Sequence, residues 1–320
     1  MKLKFSEFID VKDFELQQEL VEKQILYNNG KKYGQIVFIA GGAGSGKGFA
    51  IKHFMQGEIF KVLDVDELKK SFQKLDEIGK ISIQEIFSKY GNKITARDKT
   101  LIDDIVASNG LSEKSLKDFE LTKPNHVYAL HTLVKATGAK EKVLDHILEG
   151  ASQGKLPNII FDVTFKDISE FNRIVPLLFR VGYDSKSIHL TWVLTNYQVA
   201  IKNNKSRDRI VPEDILLATH KGAAQTVYSL IKDGTPKEID GSVYIILNNR
   251  ENTVLWIDPK TNKPYKTKFN EPVVKDFTYL KVKDTGKSAS KEIEIKKQIL
   301  TWIKDNVPSE TLDTSELDRM

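Results

Sequence analysis

The chain of 320 residues contains no cysteine. A disulfide framework and thiolate-held zinc are thereby excluded, and the absence fits a cytoplasmic protein. There is also no apolar run long enough to span a bilayer, so a membrane helix is not expected. The first twenty residues, MKLKFSEFIDVKDFELQQEL, have lysines but no apolar core and carry early acids, which argues against a secretory signal. Neither sign of charge dominates: 49 Lys and Arg stand against 44 Asp and Glu, a formal net charge of +5. Such mild basicity is compatible with a phosphate-bearing ligand and does not by itself mark a nucleic-acid protein. No internal repeat is evident. What is present is 40% hydrophobic residues, enough for a packed core and too much for wholesale disorder.

Five short apolar runs organise the chain. These are Gln35–Ala40, Ile59–Asp64, Asn158–Asp162, Ser187–Leu194 and Ser242–Leu247; the first has β-branched residues and no alternation, as expected for a strand buried on both faces of a parallel sheet, and the others read as further strands. Helical periodicity separates them: 48–55, from Asp66 onward, 167–181, from 196, and 212–232. Residues 11–29 read as an amphipathic helix ending at Asn29-Gly30. Residues 72–150 read as a polar-faced helical insertion. Within it Asn125, His126 and His131 are tempting polar residues, which a helix face explains equally well. The remaining 259–320 stretch is lysine-rich and β-like, with one helix near 288–304 and a polar tail. Strands alternating with helices predict a three-layer α/β fold with a mostly parallel sheet. The predicted organisation is an N-terminal helix (1–33), a core (34–258) interrupted by the insertion, and a C-terminal extension (259–320).

Ligand chemistry in such folds gathers beyond the carboxyl ends of the strands. After the first run stands Gly41-Gly42-Ala43-Gly44-Ser45-Gly46-Lys47, a match to G-x-x-x-x-G-K. Glycines let backbone N–H groups close around phosphates, the following helix points its positive end at them, and Lys47 reaches the β and γ oxygens. By composition alone roughly one chain in ten of this length matches by accident. Its position between a buried strand and a helix is what the mechanism demands. A dinucleotide fingerprint fails, because G-x-G-x-x-G/A would require Gly or Ala at Lys47 or at Phe49. One feature departs from the pattern: Gly48 stands where a Ser or Thr usually coordinates Mg²⁺. Ser45 lies in the loop but not at that position.

Three further groups sit at strand ends. Asp64-Val65-Asp66-Glu67 closes the second run, and Asp66 is a candidate base for a hydroxyl acceptor; an Asp there also serves as a helix cap. Asp162 closes the third and is a candidate to hold Mg²⁺ through water, or is a turn residue. Lys202, Lys205, Arg207 and Arg209 follow the fourth. Arg207 and Arg209 suit a lid over a transferring phosphoryl group, while a solvated basic helix end is the plainer alternative.

These elements resemble the zeta-toxin and polynucleotide-kinase-like group of P-loop kinases over roughly 34–258, less the insertion. The similarity lies in GGAGSGKG at 41–48, VDELKKS at 65–71, FDVTFKDISEF at 161–171, SRDRIVPEDI at 206–215 and VYIILNNREN at 243–252. Asp66 matches the family's catalytic Asp, whereas Lys69 stands where its Arg would be and cannot make the same bidentate contact. Asn248 falls in the loop that lies near adenine in such kinases. The resemblance implies ATP with Mg²⁺ as cofactors and a P-loop NTPase fold. It further implies transfer of the γ-phosphate to a hydroxyl of a nucleotide sugar, a nucleotide or a nucleic-acid 5′ end. A simple NTPase, or a catalytically weak or dead P-loop module, is the alternative that Gly48 keeps open. No protein partner is implied by any motif.

Overall fold

The structure, a computed structural model, describes residues 24–27, 31–55, 59–108, 115–151, 156–207, 209–232, 234–266, 270 and 272–313. Among these described residues seven strands form one sheet: β1 (Ile36–Ala40), β2 (Lys61–Leu63), β3 (Ile159–Asp162), β4 (Ile188–Leu194), β5 (Val243–Leu247), β6 (Thr253–Leu255) and β7 (Val274–Lys283). Their order is β2-β3-β1-β4-β5-β7-β6. The first five in that order are parallel; β7 joins β5 antiparallel and carries β6 at the far edge. All five apolar runs of the sequence are thus the parallel strands.

β1 is central and wholly buried because both faces are covered, as its unbroken apolar sequence requires. Ile36, Phe38 and Ala40 face one cluster with Phe161, Phe171, Leu178, Val227 and Leu300. Val37 and Ile39 face another with Ile51, Phe54, Met55 and Phe277. The helices supplying these layers are α1 (Lys47–Phe54), α7 (Ser169–Arg180), α9 (Glu213–Lys232) and α10 (Ile293–Asn306), with α8 (Tyr197–Lys205) beside them. Residues beyond 258 pack with the core, since β7 hydrogen-bonds to β5 and Ile299, Leu300 and Ile303 of α10 lie under the sheet.

The segment between β2 and β3 is helical, as the sequence predicts for 72–150: α2 (Val65–Glu77), which begins before that span, α3 (Ile83–Tyr90), α4 (Ala96–Ser108), α5 (Pro124–Ala136) and α6 (Ala139–Ala151). It builds a cluster of its own from Phe72, Ile83, Ile86, Ile102, Leu116, Leu130 and Leu133. His126, one of its tempting polar residues, accepts the Glu120 N–H through Nδ1 at 3.0 Å and is buried, which gives it a structural task.

The helix expected over 11–29 falls mostly outside the described residues. Its described part, 24–27, is not helical and corrects that expectation. There the Ile25 N–H donates to the Phe54 carbonyl at 2.7 Å, and the Tyr27 hydroxyl meets Thr191 at 2.5 Å in the core. Packing against α1 and the sheet holds this stretch out of a helix, against its helical periodicity. No helix among the described residues is long and apolar enough to cross a membrane.

Candidate active site

The chain turns sharply after Ala40 because Gly41, Gly44 and Gly46 take positive φ, and α1 starts at Lys47. The first helical bond runs from the Ala50 N–H to the Gly46 carbonyl at 2.9 Å. Helix geometry therefore leaves the N–H groups of Lys47, Gly48 and Phe49 without acceptors inside the helix, at its positive end. That is the arrangement an anionic phosphate uses.

The loop is pinned from four sides. The Gly41 N–H donates to Thr164 O at 3.3 Å, beyond the end of β3. The Ser45 carbonyl accepts from Thr195 Oγ1 at 2.7 Å and from Asn248 Nδ2 at 2.8 Å, beyond the ends of β4 and β5. The Ala43 N–H donates to Thr219 Oγ1 and its carbonyl accepts from His220 Nε2, both at 2.9 Å. Side chains are excluded at two points: a Cβ on Gly42 would lie within the His220 ring, and one on Gly46, which also has φ 82°, would collide with the Asn248 amide. Burial outweighs the bond to Ala43 and, with a smaller contribution from Lys47, lowers the His220 pKa to about 4, so the imidazole is neutral.

Lys47 arches back over this loop. Its Nζ donates to the Gly41 carbonyl at 2.9 Å and the Gly42 carbonyl at 3.4 Å, and lies 3.6 Å from Asp162 Oδ1. The Lys47 and Asp162 side chains are only 12% and 15% exposed, so the pair is poorly screened. Binding a phosphate here would exchange carbonyl contacts of Lys47 for phosphate oxygens. Leu63 pairs with Phe161, so Asp64 and Asp162 each stand one residue past that pair, on neighbouring strands. The helix carrying Asp66 begins at Val65, which puts Asp66 inside the first turn and Asp64 at the flanking position. The contacts of the Asp66 side chain lie outside the described residues. Lys69, one turn later, is 3% exposed.

Among the described residues no three His, Asp or Glu side chains gather as a cage for a metal. Nucleotide-bound Mg²⁺ needs no such cage, since it keeps waters and takes one or two carboxylates plus phosphate oxygens. Asp162 fits that role. Gly48 offers no hydroxyl, and the direction its Cβ would take is open to 4 Å. The Ser45 hydroxyl is buried without a hydrogen-bond partner, and Ser45 is not the residue that follows the lysine.

The basic stretch follows α8. Arg207 is exposed and Arg209 half-buried. Asn204, buried at the end of α8, donates from Nδ2 to the Val211 carbonyl at 2.7 Å and accepts the Val211 N–H at 3.0 Å, closing the segment as a loop. The Ile210 N–H reaches the Leu121 carbonyl of the insertion at 2.8 Å. The loop thus spans from α8 towards the insertion.

A Gly-rich loop between a central buried strand and a helix, its lysine paired to a carboxylate ending the adjacent strand, decides the architecture. This is a P-loop fold. No family model matches the chain. A dephospho-CoA kinase of Fusobacterium nucleatum is 27% identical over 175 residues, covering 55% of this chain and 74% of that protein. Among solved structures, one from the PezAT chromosomal toxin–antitoxin system of Streptococcus pneumoniae is 14% identical, with a TM-score of 0.37. It covers 74% of this chain and 78% of that one. One of the AvrRxo1-ORF1:ORF2 complex with ATP is 9% identical, with a TM-score of 0.39, covering 85% and 65%. Scores this low carry no argument of their own, and the fold stands on the sheet order and the loop.

Sequence reasoning missed Thr195, Asn204, Thr219 and His220. Thr195 directly follows a strand and was within reach of the strand-end rule. Thr219 and His220 sit inside a helix, where no local pattern marks them.

Proposed function

We propose that this chain is a P-loop kinase that binds ATP with Mg²⁺ and transfers the γ-phosphate to a hydroxyl of a nucleotide-like acceptor. One observation carries most of the weight: Lys47, at the start of a helix whose first N–H groups are uncommitted, lies 3.6 Å from a carboxylate ending the neighbouring strand. A tight turn with a merely structural role has no use for a half-buried cation aimed over its own carbonyls. The likeness to a dephospho-CoA kinase, whose name denotes a phosphotransferase, agrees with this reading.

In the proposed reaction, the loop and the N-terminus of α1 bind the β- and γ-phosphates, and Lys47 follows the charge on their oxygens. Asp66 accepts the acceptor's hydroxyl proton as that oxygen forms a bond to the γ-phosphorus. The bond from phosphorus to the β-bridging oxygen breaks, and ADP carries the electron pair away. Arg207 and Arg209 supply positive charge over the transferring group from the loop closed by Asn204. Mg²⁺, when bound, neutralises phosphate charge; Asp162 would hold it through water. Asn248 braces the loop through Ser45 and stands on the side proposed for adenine. The acceptor class, a nucleotide sugar, nucleotide or nucleic-acid 5′ end, follows the family resemblance.

The test is labelled ATP incubated with the full chain and a panel of nucleotide sugars, nucleotides and 5′-hydroxyl oligonucleotides, beside Lys47→Ala. Label on an acceptor, lost in the variant, is the expected result. Phosphate released to water alone points to an NTPase. ATP binding that ignores Lys47 sinks the assignment.

A further inference from the structure

Helix α9 is joined to three parts of the candidate site. Its first residue, Glu213, comes directly after the loop bearing Arg207 and Arg209. One turn and a half along, Thr219 and His220 bracket Ala43: one accepts its N–H, the other donates to its carbonyl, each at 2.9 Å. Two residues further on, a Cβ on Gly222 would stand 2.6 Å from the Lys166 carbonyl, in the turn that follows Asp162.

The bracket on Ala43 is built rather than incidental. The Thr219 hydroxyl hydrogen goes to the Leu216 carbonyl at 2.7 Å, which turns a lone pair of Oγ1 towards the Ala43 N–H. A carbonyl can only accept, so the His220 bond requires the proton on Nε2. Burial favours the neutral ring that carries it. The ring fills the space that a Gly42 side chain would take. Fixing both the N–H and the carbonyl of one residue fixes the two peptide planes that flank it. Those planes decide where the neighbouring Gly44 N–H points.

We propose that Thr219 and His220 are positioning residues that hold the phosphate loop in its binding form through Ala43. The inference rests on the nucleotide-binding reading above. If these residues serve packing alone, their loss lowers stability and leaves affinity untouched. If they position the loop, affinity falls, loop amides exchange faster, and a replacement that keeps the donor restores both.

The experiment compares the full-length parent with Thr219→Val, His220→Ala, His220→Gln and Lys47→Ala. It measures binding of a fluorescent ATP analogue, thermal stability, and nucleotide-free hydrogen exchange of the peptide covering 41–46. Thr219→Val keeps the shape of the side chain and loses the hydroxyl, and with it both the bond from the Ala43 N–H and the local bond to the Leu216 carbonyl, so it carries the test even where His220→Ala folds poorly. The expected result is binding about tenfold weaker in Thr219→Val and His220→Ala, as for loss of a hydrogen bond that preorganises a site. Faster exchange of 41–46 accompanies it, and His220→Gln recovers most of the loss. Thr219→Val binding within about twofold of the parent, with exchange unchanged while Lys47→Ala abolishes binding, overturns the inference and leaves the kinase reading standing. A parent that binds no nucleotide, or binds it without regard to Lys47, overturns both.

Discussion

Replacing Gly48 by serine would restore a hydroxyl at the position where P-loops hold their metal, and the structure says what that change meets. Gly48 is the second residue of α1, is exposed, and has ordinary helical backbone. A Cβ there meets no atom within 4 Å. Side chains of a helix lean towards its N-terminus, so the new hydroxyl leans back towards the phosphate loop. Serine is better than glycine in a helix by about 0.5 kcal/mol, and less in the first turn. For a chain of this size the melting temperature should stay within about one or two degrees of the parent. Against that flat background, the Mg²⁺ concentration giving half-maximal ATP turnover should fall on the order of tenfold, the usual scale for changing a group around a metal. A Mg²⁺ titration at saturating ATP reads this directly. A drop of several degrees would show that the space is not open. An unchanged Mg²⁺ requirement would refute the reasoning at its centre, because the metal would then not sit at this end of α1.

Three other outcomes can be checked. Arg207→Ala and Arg209→Ala should each lower kcat by about a hundredfold while ATP affinity changes little, the pattern of charge used in the transition state; weaker binding with kcat intact would make the loop a solvated basic stretch. Asp66→Asn should leave folding and ATP binding in place and remove most transfer, and full activity in that variant would pass the base role to Asp64 or Asp162. Acid should destabilise the fold through two buried rings. Burial lowers His189 to about 3 and His220 to about 4 from the ordinary 6.5. Both fold neutral, whereas the unfolded chain protonates them below about pH 6.5, so this stability is full above pH 6.5 and lost as pH falls towards 4. The slope approaches about 1.4 kcal/mol per pH unit per ring. Urea unfolding between pH 6.5 and 5 should show a shallower slope in His189→Gln, and an equal slope would mean that the ring is not buried as described.

The parallel half of the fold was legible because its strands are buried on both faces. Ile36–Ala40 is unbroken apolar sequence, Ile188–Leu194 sets only His189 and Thr191 among apolar residues, and every residue in both is buried. The C-terminal part was harder to read. β7, Val-Lys-Asp-Phe-Thr-Tyr-Leu-Lys-Val-Lys, is half-exposed, antiparallel, and reaches its partner across a stretch that includes β6. Nothing local tells such a strand which edge of the sheet it will join. The segment at 24–27 misled for the opposite reason. Its apolar residues fit a helical period, yet Tyr27 is held by Thr191 and by edge contacts to Tyr244 and Phe60, all distant in sequence.

The site divides along the same line. Gly41–Gly46, Lys47 and Asp162 carry their meaning locally, because a phosphate loop needs consecutive residues and strand ends are visible in the sequence. What holds the loop does not. Thr195, Asn248, Thr219 and His220 come from three later elements, and each acts on a backbone group rather than on a side chain that a motif would name. A phosphate loop is defined by where its N–H groups point. Glycine permits that geometry and many others. The choice among them is made by these bonds, which remove the freedom glycine brought. Gly42 carries the trace of this in sequence: its φ is not positive, and no turn requires it to be glycine. It is glycine because the His220 ring stands where its side chain would be. Reading that from sequence would require knowing that residues 178 positions apart meet, and only the sheet order, which brings α9 across the end of β1, makes them do so.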